Sequence, residues 1–239
     1  ENPDLDVDTK LKILSSYYEL AELNDTYKQQ AEELIQITLK LHSSSAEIHA
    51  LYADFLLRDK KLKEAQTEYY ESVKADKNHF NTWQQLMYVE SENNDYAALA
   101  THSSEAMELF PNNSIPYFFN GFANIQLRNY NKAIESLEEG IEFVYNNNPL
   151  LKDFYSNLGD AYNAIKDYAK SDKAFDDALK VNPDDADVLN NYAYFLSLRK
   201  EKLEKAEKFS RRSNELAPNN RLYIDTYGWI LYQQGKYTE

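Results

Sequence analysis

The sequence predicts an all-α fold built from a repeated pair of helices, and three observations support this prediction. Gly and Pro number only 5 and 6 among 239 residues, whereas sheets and long loops use both residues heavily. Apolar and small residues recur at helical spacing, as Tyr155, Leu158, Gly159 and Tyr162 do. A polar turn followed by an apolar anchor returns about every 34 residues. A fixed period of this length is typical of stacked supersecondary units, each of which buries its apolar side against the next.

Four series of positions keep this period. The turn anchors are Leu62, Tyr96, Tyr130, Tyr168, Leu203 and Tyr237; a second series is Ala31, Ala65, Leu99, Ala133, Ser171 and Ala206; a third is Ala53, Met87, Gly121, Gly159, Ala193 and Gly228; and Pro stands at 111, 183 and 218. Gly inside a helix costs about 0.5–1 kcal/mol relative to Ala. Close helix packing must therefore offset that cost at Gly121, Gly159 and Gly228. We expect the small residues of the second series to face these glycines, and Pro to end a helix sharply.

The helix–turn–helix unit with this period resembles the tetratricopeptide repeat. The best copy joins the segment Tyr155–Tyr162 to Phe175, Ala178 and Pro183. The resemblance covers nearly the whole chain. It implies a right-handed α-solenoid of antiparallel helix pairs, with a concave groove lined by the first helix of each pair.

The period divides the chain into six repeats and a half. The expected ranges are a lead-in at 1–11 and repeats at 12–45, 46–79, 80–113, 114–151, 152–185 and 186–220, with a half-repeat at 221–239. The fourth repeat carries an insertion near 145–149, which we expect to lengthen a linker. The last helix should leave Ile224, Tyr227, Gly228 and Leu231 uncovered. That arrangement predicts that the full-length protein continues and that this fragment self-associates through 221–239.

Charge and composition exclude several functions. Lys plus Arg number 26 and Asp plus Glu 40, for a net charge of −14, so nucleic acid and anionic membrane surfaces are disfavoured as partners. The absence of Cys removes thiolate chemistry and cysteine metal sites. None of the four His forms a metal-binding or catalytic motif, and no stretch approaches the ~18–20 apolar residues of a membrane span. We therefore expect no enzyme activity, cofactor, metal or transmembrane segment.

The candidate binding residues lie on the groove side of the first helices. They are Phe118, Phe119, Phe122, Asp153, Asn157, Asp160, Asn190, Asn191, Tyr194 and Trp229. The set holds no Lys or Arg, which excludes the chaperone-tail ligands that family members bind through a clamp of Lys, Arg and Asn. Asn157 and Asn191 occupy equivalent places, and each amide offers a donor and an acceptor to a peptide backbone. The acids beside them favour a partner with basic side chains.

Each of these residues also has a plain structural interpretation. Phe118, Phe119 and Phe122 can pack against a neighbouring helix or the inserted segment. Asn157 and Asn191 can be solvated surface. Trp229 can be a binding anchor or can be covered by later helices.

The predicted function is a non-enzymatic protein–protein interaction scaffold that binds an extended peptide or partner protein in the concave groove. Two alternatives stay open: a structural subunit of a multiprotein assembly that uses its convex face or ends, and a regulatory region of a larger protein. The run Tyr223–Tyr232 resembles bacterial members of the family, many of them envelope proteins. We therefore expect a bacterial periplasm or cell envelope location, with the cytoplasm as the alternative.

Overall fold

The computed structural model describes residues 7–20 and 25–237, and within these ranges the chain forms thirteen α-helices and no strand. It divides into two compact units, Glu1–Pro111 and Asn112–Glu239. Unit 1 contains α1 (Val7–Leu20), α2 (Asp25–Leu41), α3 (Ala46–Arg58), α4 (Leu62–Ala75), α5 (Phe80–Glu92) and α6 (Tyr96–Leu109). Unit 2 contains α7 (Ser114–Gln126), α8 (Tyr130–Ile141), α9 (Asn148–Ala164), α10 (Tyr168–Val181), α11 (Ala186–Arg199), α12 (Leu203–Leu216) and α13 (Arg221–Gln233). The prediction of an all-α chain of helix pairs is confirmed.

Helices pack mainly on their neighbours in the chain, as expected for helix-pair repeats. In unit 1, α3 packs against α4, and α4 and α6 both pack against α5. Trp83, Leu86 and Met87 form the buried side of α5. In unit 2, α9 and α10 make the most extensive pair, and Phe175 of α10 stacks on Tyr192 of α11 with ring centroids 5.1 Å apart. Each unit therefore buries an apolar layer between successive pairs.

From α3 onward, the turn that follows the first helix of each pair contains a residue in the left-handed conformation. These residues are Lys60, Asn94, Arg128, Lys166, Lys200 and Gly235. The backbone N–H of the next residue donates to a carbonyl five residues back, as Asp167 does to Tyr162 at 2.9 Å. This bond satisfies a carbonyl that the helix end leaves open, as in a Schellman motif. The turn geometry recurs although only one of its six residues is Gly.

Replacing Lys166, which has φ of 66°, by Gly should stabilise unit 2 by about 0.5–1 kcal/mol. The left-handed conformation costs a residue with Cβ roughly 1–2 kcal/mol, and Gly's greater freedom in the unfolded chain cancels part of that gain. Urea unfolding followed by circular dichroism measures the change. Gly235→Ala is the reverse control, since Gly235 has φ of +74°, and it should destabilise. A Lys166→Gly variant no more stable than wild type would contradict this account of the turn.

Gly121 and Gly159 sit where two helices approach closely, as predicted, but the residues that face them differ from the prediction. The prediction of close packing at Gly228 was wrong, because a Cβ there would meet nothing within 4 Å. A Cβ at Gly121 would lie 2.4 Å from Leu137 Cγ, and one at Gly159 would lie 2.7 Å from the Phe175 ring. The prediction that small residues of the second helix lie closest to these glycines was wrong. Large side chains of that helix fill the space above each glycine instead. Ser171, from the expected series, donates its hydroxyl to the Gly159 carbonyl at 2.8 Å.

Two helices begin earlier than the predicted repeat boundaries. Helix α1 begins at Val7, inside the predicted lead-in, of which residues 1–6 lie outside the described part of the chain. Helix α9 begins at Asn148, four residues before the expected boundary. Asn147 caps it by accepting a hydrogen bond from the Leu150 N–H, and Pro149 lies in its first turn. The insertion therefore adds a helical turn to α9, and 142–147 connects it to α8.

Helix α13 is only partly uncovered. Ile224 is 52 % exposed, and a Cβ at Gly228 would meet nothing within 4 Å. Leu231 is only 6 % exposed, so the expectation that it is uncovered was wrong. The reason is that α13 packs against α11 and α12 with its buried residues Tyr223, Ile230 and Leu231.

Unit 1 holds a buried ion pair at a core position. Glu90 is fully buried in α5 and occupies the position that Leu56, one repeat earlier, holds in the preceding pair. His102 Nδ1 donates a hydrogen bond to Glu90 Oε1, and its ring stacks on Tyr70 with centroids 5.0 Å apart. Burial raises the pKa of Glu90. Burial on its own would lower the pKa of His102, but the hydrogen bond to Glu90 and the negative charge of Glu90 together outweigh burial, and the pKa is raised.

Candidate functional site

The candidate residues lie in unit 2, on the first helices of its pairs. Helix α9 contacts both α7 and α11, and α11 contacts α13, whereas no comparable contact joins α8, α10 and α12 to one another in the described residues. The four first helices therefore share one side of unit 2. We call the solvent-facing surface of α7, α9, α11 and α13 the inner face of unit 2.

The phenylalanines of α7 are half-buried and contribute to packing. The Phe118 ring meets Phe119 edge-on at 5.8 Å and buried Phe154 of α9 at 5.5 Å. Phe122 is also half-buried. Such edge-to-face pairs are favourable contacts between helices. The structural interpretation of Phe118 therefore holds, and only part of this aromatic surface faces solvent.

A cation that sequence reasoning missed neutralises Asp153. Lys152 Nζ lies 2.5 Å from Asp153 Oδ1 and 3.0 Å from Asp185 Oδ2, which belongs to the N-cap residue of α11. The candidate positions themselves contain no Lys or Arg, as expected. Lys152, next to the candidate Asp153, nevertheless brings a cation to this face. Asp153 is therefore already paired within the chain, and the charge it offers to a ligand is reduced.

Asn157 and Asp160 differ in how their polar atoms are used. The Asn157 amide donates to the Asp153 carbonyl at 2.8 Å, one turn earlier in α9. Asp160 is half-buried, and its Oδ1 is enclosed without a hydrogen-bond partner. Burial raises the pKa of Asp160 to about 7, because no nearby donor or cation stabilises the ionised form.

The two asparagines of α11 contact each other. Asn190 is 7 % exposed, and its Nδ2 lies 3.4 Å from Asn191 Oδ1. The Oδ1 of Asn190 is enclosed and has no hydrogen-bond partner. Asn191 is half-buried. The equivalent residues Asn157 and Asn191 thus bond to neighbours in their own helices and not to each other.

A hollow of about 810 Å³ lies between α11 and α13 on the inner face. It is lined by Tyr194, Leu198, Ile224, Asp225, Gly228, Trp229 and Tyr232. The indole of Trp229 stacks on the Tyr232 ring with centroids 5.7 Å apart and planes at 24°. Tyr194 and Trp229, both candidates from the sequence, are brought together here and are exposed. Leu198 was missed, although it stands one helical turn after Tyr194.

Three tetratricopeptide repeat models match the sequence, over residues 22–79, 153–185 and 174–208. These matches fall on the helix pairs described above in both units.

The chain belongs to the tetratricopeptide repeat family.

Several solved structures have a similar fold. PilF from Pseudomonas aeruginosa has a TM-score of 0.63 and 17 % identity, covering 91 % of this chain and 95 % of its own. MamA (residues 41 to the end) from Desulfovibrio magneticus RS-1 has a TM-score of 0.63 and 20 % identity, covering 74 % and 97 %. YrrB, described as a tetratricopeptide repeat protein with an unusual peptide-binding site, has a TM-score of 0.60 and 15 % identity, covering 80 % and 96 %. No curated protein shows significant sequence similarity to the chain.

Tetratricopeptide repeat proteins are generally non-enzymatic scaffolds that bind protein or peptide partners. In this tetratricopeptide repeat protein, the described residues hold no group of three or more His, Cys, Asp or Glu that could bind a metal ion. Across 7–20 and 25–237, every helix is too short or too polar to span a bilayer.

Proposed function

We propose that this scaffold binds an extended segment of a partner protein on the inner face of unit 2. The observation that carries the proposal is the hollow between α11 and α13, where Tyr194, Trp229 and Tyr232 are exposed together. Exposed aromatic residues that line a concavity are the usual anchors of protein interfaces. The peptide-binding site reported for YrrB, which has a similar fold, also supports the proposal.

The amides of α9 and α11 suit the backbone of such a segment. Asn157 and Asn191 are half-buried on neighbouring helices that contact each other. Each retains hydrogen-bonding capacity beyond its bond inside its own helix. An extended chain that crosses these helices would exchange backbone bonds with the amides and place an apolar side chain in the hollow. Ligands of this size bind at roughly micromolar strength, or about −8 kcal/mol.

Truncating the aromatic anchors should weaken peptide binding strongly. We expect Trp229→Ala/Tyr232→Ala to lower affinity at least tenfold for peptides selected from a displayed random library on the full chain. The reason is that buried aromatic anchors carry about 2 kcal/mol or more of an interface. Fluorescence anisotropy with the selected peptides measures the change.

Tyr145→Ala is the matched control, because Tyr145 is an exposed aromatic residue in the connection between α8 and α9. It should leave affinity within a factor of two. The proposal fails if the selected peptides bind the Trp229→Ala/Tyr232→Ala variant as tightly as they bind wild type.

A second candidate function is a structural subunit that docks through the end of unit 2. Leu222 and Ile224 of α13 are exposed, and the space above Gly228 is open. A helix of a partner subunit would pack against the exposed apolar side chains there. Substituting Leu222, which does not line the hollow, by Ser should then weaken assembly and leave peptide binding unchanged.

A further inference from the structure

We propose that the inner face of unit 2 takes a lysine or arginine side chain of its peptide partner at Asp160 and Asn190, with an apolar side chain a few residues away in the hollow. This inference rests on the proposed function and adds to it the chemical class of the partner. The partner is an extended segment with one basic and one apolar residue at a defined spacing.

Two enclosed acceptor atoms carry the inference. Asp160 Oδ1 on α9 and Asn190 Oδ1 on α11 both lack a hydrogen-bond partner, and Asn190 is only 7 % exposed. Enclosed polar atoms in native proteins nearly always have a partner, because leaving one without a hydrogen bond is unfavourable. The two helices contact each other on the same face. Both acceptors therefore require a donor that the described residues do not supply.

The charge around Asp160 indicates that this donor is a cation. Several other carboxylates of unit 2 have cationic partners: Asp172 lies between Arg199 and Lys202, and Asp153 pairs with Lys152. The residues one turn from Asp160 in α9 are uncharged, namely Ser156, Asn157, Asn163 and Ala164. Burial without a partner raises the pKa of Asp160 to about 7. A cationic donor would favour the ionised carboxylate.

The second acceptor explains why one basic side chain suits the site. An ammonium group carries three donors and a guanidinium five, and neither has an acceptor. Either group has enough donors for two oxygens, whereas a hydroxyl donates only one hydrogen bond. The acidic net charge of −14 also favours a basic segment at long range.

Helix spacing predicts where the apolar residue of the partner lies. Packed helices are about 8–10 Å apart. The distance from α9 to the hollow between α11 and α13 is one and a half such spacings, or roughly 12–15 Å. An extended chain advances about 3.3 Å per residue. The basic and apolar residues should therefore stand about four positions apart.

Two designed peptides test the inference on the full chain. The first carries Lys and Phe four residues apart in a background of Gly, Ser and Thr, with a fluorescent label; the second has Gln in place of Lys. Asp160→Asn should weaken binding of the Lys peptide at least tenfold and of the Gln peptide less than twofold. Asp176→Asn on α10 removes the same charge away from the site and should change both less than twofold. Anisotropy titrations of both peptides against wild type and the two variants give six dissociation constants.

The thermal stability of the Asp160→Asn variant tests whether any loss of peptide binding comes from misfolding. Removing an enclosed carboxylate without a partner should raise the thermal midpoint at pH 8. A variant that is more stable and yet loses the Lys peptide has lost a ligand contact.

The outcomes separate this inference from the proposed function. Equal effects of Asp160→Asn on both peptides, or equal binding of both peptides to wild type, would overturn the cation site. The cation site is also overturned if library-selected peptides without a basic residue bind the inner face and the Lys peptide does not. If no peptide of any kind binds the inner face, the proposed function fails as well.

Discussion

Replacing His102 by Ala should lower the free energy of unfolding of unit 1 by about 3–5 kcal/mol at pH 8. The variant leaves Glu90 fully buried without the Nδ1 donor that now contacts its Oε1, and Glu90 Oε2 already has no partner. Breaking a buried pair by removing one member leaves an uncompensated charge in the interior, which is far more costly than the pair's own contribution. The loss should shrink as pH falls, because Glu90 then binds a proton.

The pH dependence of the wild type follows from the same pair. The pKa of His102 is raised above its ordinary 6.5, so its stabilisation is complete below that value and is lost as pH rises through the folded-state pKa. The pKa of Glu90 is raised above 4.5, so stability also falls as pH rises from there. Unit 1 should therefore be more stable at pH 6 than at pH 9.

The matched control is Glu90→Leu/His102→Leu. Two of the positions equivalent to Glu90 in other pairs hold Leu56 and Leu196, both buried, and replacing a buried ion pair by apolar residues is often neutral or stabilising. Trp83 is buried in α5, and the protein has two Trp. A Trp229→Phe background therefore makes fluorescence a reporter of unit 1 during urea unfolding. A His102→Ala variant as stable as this double variant at pH 8 would show that the pair carries no such cost.

Replacing Gly159 by Ala should destabilise unit 2 by about 2–3 kcal/mol, although Ala is the better helix former. The new Cβ would lie 2.7–2.8 Å from three atoms of the Phe175 ring. Phe175 is fully buried and stacks on Tyr192 at 5.1 Å, so the ring has little room to move. Overpacking of this kind costs more than the helix propensity of Ala returns.

Gly228→Ala is the control, since Gly228 holds the same place in the repeat and open space lies above it. This variant should gain about 0.5–1 kcal/mol. In addition, Phe175→Leu should cost less in the Gly159→Ala background than in wild type, because it relieves the contact. Urea unfolding followed by circular dichroism compares the four variants. Equal effects at Gly159 and Gly228 would contradict the close-packing explanation.

The binding residues were only partly predictable. Tyr194 and Trp229 were identified from their place in the repeat, and the structure puts them in one hollow with Leu198. Asp160 and Asn190 were also candidates, but the sequence does not indicate that an oxygen of each is enclosed without a hydrogen-bond partner. The identity of an Asn or Asp residue does not reveal whether a neighbouring helix supplies a hydrogen-bond donor to its side chain.

Packing departed from expectation in a similar way. Gly140 belongs to no periodic series, yet a Cβ there would lie 2.5 Å from Tyr117 Cβ and 2.7 Å from the Phe154 ring. The insertion after α8 could be located from the interrupted period. Its effect, an additional turn of α9 capped by Asn147, depends on local capping that competes with a linker conformation.

The sequence by itself determined the helix pairs, their period and the family, because these depend on patterns repeated along the chain and on turns that are local. Only the tertiary structure decided which polar groups are satisfied and which remain available. Lys152 reaches Asp153 and the cap of α11, whereas Asp160, two turns further along α9, has no such partner. That difference arises from distances between side chains of separate helices, and these distances are set by packing.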